Sequence, residues 1–281
     1  MTNSVVSNEI TFKSPDDIEL FERSWILSGA RAVILITHGI AEHSGRYTHL
    51  AQALNNANYS VIAFDLRGHG QSSGKRNYIS SFQDYLDDLG AVLERTRKAS
   101  SNKPVFLCGH SMGGGIVTQY IIERNPQVNG AILSAPSVKV SDDISPFLQK
   151  ISGILSVLTP TLPAVKIDSS FISKDPQVVA AYDSDPLNYR GGVLARTGAE
   201  LLKSTRQINK SMPAFSLPVL IMHGLQDKLA DVAGSQILYE QISSKDKTLK
   251  LYEGLYHEIF NEPEKDQVIR EMIEWLNNHT A

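Results

Sequence analysis

Residues Pro104-Val-Phe-Leu-Cys-Gly-His-Ser-Met-Gly-Gly-Gly-Ile-Val-Thr-Gln-Tyr120 decide the fold. The run from Pro104 to Cys108 is short and apolar, as a strand buried on both faces of a parallel sheet must be. From Gly113 to Arg124, Ile116, Val117, Tyr120 and Ile121 fall at helical spacing. Between the two lies Gly109-His110-Ser111-Met112-Gly113, a G-x-S-x-G pattern in strand–turn–helix context. A turn that sharp has no room for side chains on its flanks, so glycines stand at 109 and 113. It pushes the Ser111 hydroxyl out above the sheet, beside the N–H groups that open the helix.

The same rhythm runs outward. Ala32–Ile36, Ser60–Phe64, Ala131–Leu133, Pro218–Met222 and Leu249–Tyr252 are further short apolar or strand-like runs. Ser81 is placed to cap a helix over Phe82 to Lys98, and Val232–Ile242 and Pro263–Asn278 read as helices, with Pro263 in a first turn. Glu9–Phe12 and Ile18–Trp25 flank Ser14-Pro-Asp-Asp17 and read as an antiparallel hairpin. Together these predict a mostly parallel sheet of eight strands with helices on both faces. Residues 138–213 break the rhythm, with Pro146, Pro160, Pro163, Pro176, Pro186 and Pro213. They read as a helical cap inserted in one domain that spans 1–281.

A serine hydroxyl needs a base, and the base needs a carboxylate to hold it. On this type of sheet the order along the chain is serine, acid, histidine. Of the eight histidines, five precede Ser111 and His279 sits in the last three residues, where fraying is expected. His223 ends a strand; His257 lies in the turn Glu253-Gly-Leu-Tyr-His257 after the last strand and is the expected base. Asp227, after the strand before, is the expected acid, while Asp231 reads as a helix cap. Oxyanion donors should be the backbone N–H groups of Met112 and of Ile40, in the loop Thr37-His38-Gly39-Ile40. His38 reads as a structural histidine shaping that loop.

Composition narrows the rest. The 281 residues carry 27 basic and 30 acidic side chains, a net charge of −3 that gives nucleic acid no electrostatic footprint. With 42% hydrophobic and 20% charged residues the chain has the makings of a packed core. Cys108 stands alone, which excludes an intramolecular disulfide and a cysteine-rich zinc site. Gly68-His-Gly-Gln-Ser-Ser-Gly-Lys75 fails the spacing of a phosphate loop, Arg76 standing where a hydroxyl is needed. No metal and no cofactor is expected. The N-terminus shows neither a basic nor an apolar leader region, and no apolar run of about 18 residues occurs, so a cytoplasmic address is expected, with peripheral membrane contact as an option.

His38-Gly-Ile-Ala-Glu-His-Ser-Gly-Arg-Tyr47, Asp65-Leu-Arg-Gly-His-Gly-Gln-Ser72, Gly109-His-Ser-Met-Gly-Gly114, Ile167-Asp-Ser-Ser170, Tyr182-Asp-Ser-Asp-Pro-Leu187 and Asp246-Lys-Thr-Leu-Lys-Leu-Tyr-Glu-Gly254 resemble the monoacylglycerol lipase family of the serine α/β-hydrolases. The resemblance implies the α/β-hydrolase fold and hydrolysis of a monoacylglycerol to glycerol and a fatty acid, the acyl chain lying under the cap. It implies a lipid ester as partner, polar contacts to the glycerol end from Glu42, Arg46 and Tyr182, and docking of cap segments such as Ile151–Leu158 on a membrane. Read without the resemblance, Glu42 and Arg46 form an i,i+4 ion pair on a surface turn. Phe260 stands where animal members carry a histidine, and Tyr189 and Ala230 where they carry cysteines. A lysophospholipase or broad carboxylesterase on the same triad is the alternative, and a non-catalytic lipid-binding protein of this fold is disfavoured by the complete triad.

Overall fold

The computed structural model describes residues 6–100, 103–140 and 146–280. Residues 1–5, part of the stretch read for a leader, and 141–145, part of the 138–213 insertion, lie outside the described residues. Strands β1 (Asn8–Lys13), β2 (Glu19–Trp25), β3 (Val33–Thr37), β4 (Ser60–Phe64), β5 (Val105–His110), β6 (Gly130–Ser134), β9 (Val219–Gly224) and β10 (Lys247–Tyr252) make one eight-stranded sheet, in the order β1-β2-β4-β3-β5-β6-β9-β10. Within this sheet only the β1–β2 and β2–β4 pairings are antiparallel. A second, two-stranded sheet pairs β7 (Pro163–Val165) with β8 (Val193–Leu194).

Side chains along the central strands alternate between two cores, as the pleat requires. Val33 and Leu35 face one core with Leu107, Leu133 and Ile221; Ile34 and Ile36 face the other with Phe106, Cys108 and Met222. Helices α2 (Phe82–Ala99) and α3 (Met112–Arg124) close the first core through Leu86, Leu89, Ile116 and Val117. Helices α1 (Thr48–Asn56) and α8 (Lys265–His279) close the second through Leu50, Leu54, Val268 and Met272. Ser81 caps α2 as expected, in a full capping box with Asp84. Asp231 caps α7 (Val232–Gln241) by accepting from the Ala233 N–H. Helix α8 starts at Lys265, so Pro263 stands before the helix rather than in its first turn. His279 is not frayed: its ring stacks on Trp275 at 3.8 Å and its Nε2 meets Asp246 at 2.9 Å.

The chain leaves the sheet after β6 and returns at β9, its neighbour, with Ala131 opposite Val219. The stretch between carries α4 (Pro146–Leu158), the β7–β8 pair, α5 (Pro176–Ser184) and α6 (Ala195–Ser211). Helix α6 packs on α4 and also on α2 and α3. From β3 the chain runs first to β4 on one side and then to β5 on the other, so the strand order reverses between β3 and β5. The carboxyl ends of strands flanking such a reversal form the crevice in which open α/β sheets bind ligands.

Candidate active site

Ser111 joins β5 to α3 with φ 53° and ψ −119°, a backbone conformation that L-residues rarely adopt. The glycines around it are a steric requirement. A Cβ at 109 would fall 2.5 Å from the Gly113 carbonyl oxygen; one at 113 would fall 2.2 Å from that of Thr37 and 2.4 Å from that of His38. The helix therefore starts hard against the end of β3. Backbone bonds lock the turn: the Ser111 N–H donates to the Ser134 carbonyl at 2.9 Å, and the Ser111 carbonyl accepts from Gly115 and Ser137.

Asp227 and His257 come from the loops after β9 and β10. His257 Nδ1 donates to Asp227 Oδ2 at 2.6 Å, which leaves Nε2 as the ring's basic nitrogen. The other carboxylate oxygen accepts the N–H groups of Leu229 (2.7 Å) and Ala230 (2.9 Å). Asp227 is thus a buried hub of hydrogen bonds. Burial pushes its carboxyl up, but the His257 charge and the bonds from His223 and His257 outweigh that and hold it well below the usual carboxylate range. Burial pushes the His257 ring down; Asp227, with Glu258 and Glu42 behind it, reverses this and leaves the ring above its ordinary value.

The Ser111 hydroxyl turns toward Ser137 Oγ at 3.5 Å, and among the described residues no hydrogen bond joins it to His257. Both residues line the same cavity, and the ring of His110, next to Ser111 in the chain, has its centroid 4.7 Å from that of His257. Burial, with the His257 charge beside it, pushes the His110 ring down to about 3, so it stays neutral and does not compete for the proton. Serine has one side-chain torsion to turn, and in ligand-free sites catalytic hydrogen bonds are commonly long.

The loop after β3 lies against the nucleophile. A Cβ at Gly39 would fall 3.2 Å from Ser111 Cβ, and the Gly39 N–H donates to Glu42 Oε1 at 2.6 Å. His38 is fully buried, bonded to Gly39 O and accepting the Leu66 N–H at 2.9 Å, and burial lowers its pKa. Ile40 and Met112, the expected oxyanion donors, follow Gly39 and Ser111 directly.

Glu42 and Arg46 are not a surface pair: their side chains are 4% and 10% exposed. Arg46 Nη1 donates to Glu42 Oε2 (2.9 Å) and Glu258 Oε1 (2.5 Å), and Nη2 donates to Glu258 Oε2 (2.7 Å). Its guanidinium lies over the Tyr182 ring at 4.9 Å, and the Tyr182 hydroxyl donates to Ala41 O at 3.2 Å. Ser111, His257, Ile40, Glu42, Tyr182 and Glu258 all line one cavity of about 470 Å³, which apolar residues such as Leu155, Phe171 and Leu202 also line.

Two residues of the site escape a reading by sequence. Glu258 stands beside the base, but its partner Arg46 is 212 positions away. His223 bridges Ser235 Oγ (2.7 Å) and Asp227 Oδ2 (3.0 Å) from the end of β9; its Nε2 also meets the Ala230 carbonyl, which assigns the proton to that nitrogen. The one hint was a histidine four residues before the acid.

Residues 28–264 match the family described as serine aminopeptidase, S33. The chain is 37% identical over 249 residues to a monoacylglycerol lipase of Mycolicibacterium smegmatis, covering 89% of each chain. It is 36% identical over 266 residues to the monoglyceride lipase of Homo sapiens, covering 93% of this chain and 88% of the other. Among solved structures, a soluble variant of Saccharomyces cerevisiae monoglyceride lipase in complex with a substrate analog superposes with a TM-score of 0.89 at 26% identity, covering 100% of this chain and 98% of the other.

Proposed function

The chain belongs to the serine aminopeptidase, S33, family, with the α/β-hydrolase fold, and from that premise we propose that it is a monoacylglycerol lipase, hydrolysing monoacylglycerols to glycerol and a free fatty acid. The observation that carries the reading is the meeting, at one apolar cavity, of the serine elbow and an imidazole held by a buried carboxylate. Ser111 Oγ attacks the ester carbonyl carbon as its proton passes to His257 Nε2, and Asp227 stabilises the imidazolium. The tetrahedral oxyanion accepts from the N–H groups of Ile40 and Met112, each worth about 3 kcal/mol of barrier. Glycerol departs with the proton from His257. Water, deprotonated by the same ring, then attacks the acyl-enzyme and releases the fatty acid.

In this reading Glu42, Arg46 and Tyr182 hold the glycerol end, and residues 138–213 form the cap over the acyl chain. On the outer side of α4, Ile154, Val157 and Leu158 are 61%, 71% and 73% exposed. An apolar helix face of that kind suits peripheral docking on the lipid surface that supplies the substrate. Among the described residues no helix is long and apolar enough to cross a membrane.

The test is turnover of a monoacylglycerol series together with fluorophosphonate labelling. Ser111 should be the labelled residue, and Ser111→Ala should lose labelling and at least a thousandfold in kcat. Labelling at another residue, or near wild-type turnover by the alanine variant, refutes the reading.

A further inference from the structure

The proposed glycerol end carries an unusual charge balance. One guanidinium, Arg46, faces two carboxylates, Glu42 and Glu258, which leaves a net charge of −1 (one positive against two negative). An arginine edge with two parallel donors is the natural grip for a phosphate. Here Glu258 already occupies that edge through both of its oxygens, and one face of the guanidinium lies on Tyr182. Glu258 is itself held: its N–H donates to the Ile172 carbonyl at 2.8 Å, and its Oε2 also accepts from Asn261 at 2.8 Å. Of the three, Glu42 and Glu258 line the cavity and Arg46 does not, so the charge the cluster presents there is negative, which repels anions. The cations that do line the cavity have settings of their own: Lys139 pairs with Asp231, Lys228 lies over the Phe171 and Tyr256 rings, and Lys166 stands near Asp168.

We propose that Glu258 is a specificity-determining residue: by filling the Arg46 edge and leaving the alcohol end negative, it admits esters of a neutral polyol and rejects esters whose alcohol carries a phosphate. This rests on the reading that the glycerol of a monoacylglycerol sits at Glu42, Arg46 and Tyr182. Discrimination then comes from a repulsive element as much as from an attractive one.

The experiment compares kcat/KM for a short-chain monoacylglycerol with that for the glycerol 3-phosphate ester of the same fatty acid, both as dissolved monomers. Wild type should favour the neutral ester by roughly a hundredfold or more. Glu258→Gln should narrow that ratio by roughly tenfold, through KM for the phosphate ester, because one charge beside the bound phosphate is gone. Glu258→Asp keeps the charge but falls one methylene short of the Arg46 edge, and should keep a ratio above that of Glu258→Gln, whereas a merely structural role would leave the two variants alike. Raising salt should narrow the wild-type ratio more than that of Glu258→Gln. The ratio is independent of the fraction of active enzyme. Wild type accepting both esters within threefold, or a ratio unmoved by Glu258→Gln, overturns the inference and leaves the lipase reading standing. If Glu258→Gln does not fold, a wild-type ratio insensitive to salt overturns it. Failure of wild type to turn over any monoacylglycerol, despite labelling of Ser111, overturns both.

Discussion

Replacing Ser111 by glycine should leave a more stable chain than replacing it by alanine, both changes abolishing turnover. The reasoning starts from the elbow, where Ser111 sits at φ 53° and ψ −119°. An L-residue held in such a region costs about 1–3 kcal/mol, and glycine is nearly free of that cost. The proper reference is Ser111→Ala, which also lacks the hydroxyl but keeps the Cβ. Taking the strain as about 2 kcal/mol, glycine gives back about 0.7 through its freer unfolded chain and about 0.5 through lost contact of the buried Cβ. Roughly 1 kcal/mol remains in favour of Ser111→Gly over Ser111→Ala. For a chain of this size that is a rise in midpoint of about 2–4 °C. Differential scanning calorimetry of the two inactive variants in one buffer reads it directly. A glycine variant melting at or below the alanine variant would show that the elbow stores no strain, and the account of the turn would fall.

Gly113→Ala drives a Cβ into the carbonyl oxygens of Thr37 and His38 and should cost about 3 kcal/mol, whereas Gly153→Ala in α4, where nothing lies within 4 Å, should be neutral or stabilising; chemical denaturation of both separates close approach from helix propensity. His223→Leu leaves the Ser235 hydroxyl buried without its partner and loosens Asp227, so stability should drop by about 2 kcal/mol and kcat should fall more than KM changes; an unchanged kcat would remove His223 from the positioning of the acid. Because His257 must be neutral to accept the serine proton and its pKa is raised, chiefly by Asp227 against burial, kcat/KM should fall on acidification from a point above the ordinary imidazole value. Glu258→Gln removes one of the charges that raise it, so the acid limb should move to lower pH; a shift the other way contradicts the electrostatics.

The sheet was open to a reading by sequence because its central strands are buried on both faces, and that burial writes itself as uninterrupted apolar runs such as Ser60–Phe64. Helix α2 was equally plain, since Ser81 and Asp84 announce its start. Helix α1 was not: nine residues long, it is preceded by Tyr47, whose side chain makes no cap, and packing on β4 and α8 holds it in place of local signals. The site divides in the same way. Ser111, Asp227 and His257 each follow a recognisable strand, so their order along the chain suggests their roles. Glu42 and Arg46 share a helical spacing that looks the same on a surface turn and in a buried cluster. Only the fold brings Glu258 across 212 residues to Arg46, and only the fold turns His223 onto Asp227. Spacing carries local geometry; it carries no information about burial or about partners on distant loops.

Strands β6 and β9 lie side by side although more than eighty residues of chain, from Ser134 to Val219, run between them. That long detour is an architectural bay tied to the frame at several places, among them α6 on α2 and α3 and the Ile172 carbonyl that holds the Glu258 N–H. Asp227 and His257 follow the adjoining pair β9 and β10, whose register from Val219 opposite Lys247 to Gly224 opposite Tyr252 makes no reference to it. On the proposed reading, a change of acyl preference can therefore arise in the bay alone, provided it spares those ties, while the cutting edge stays as it is.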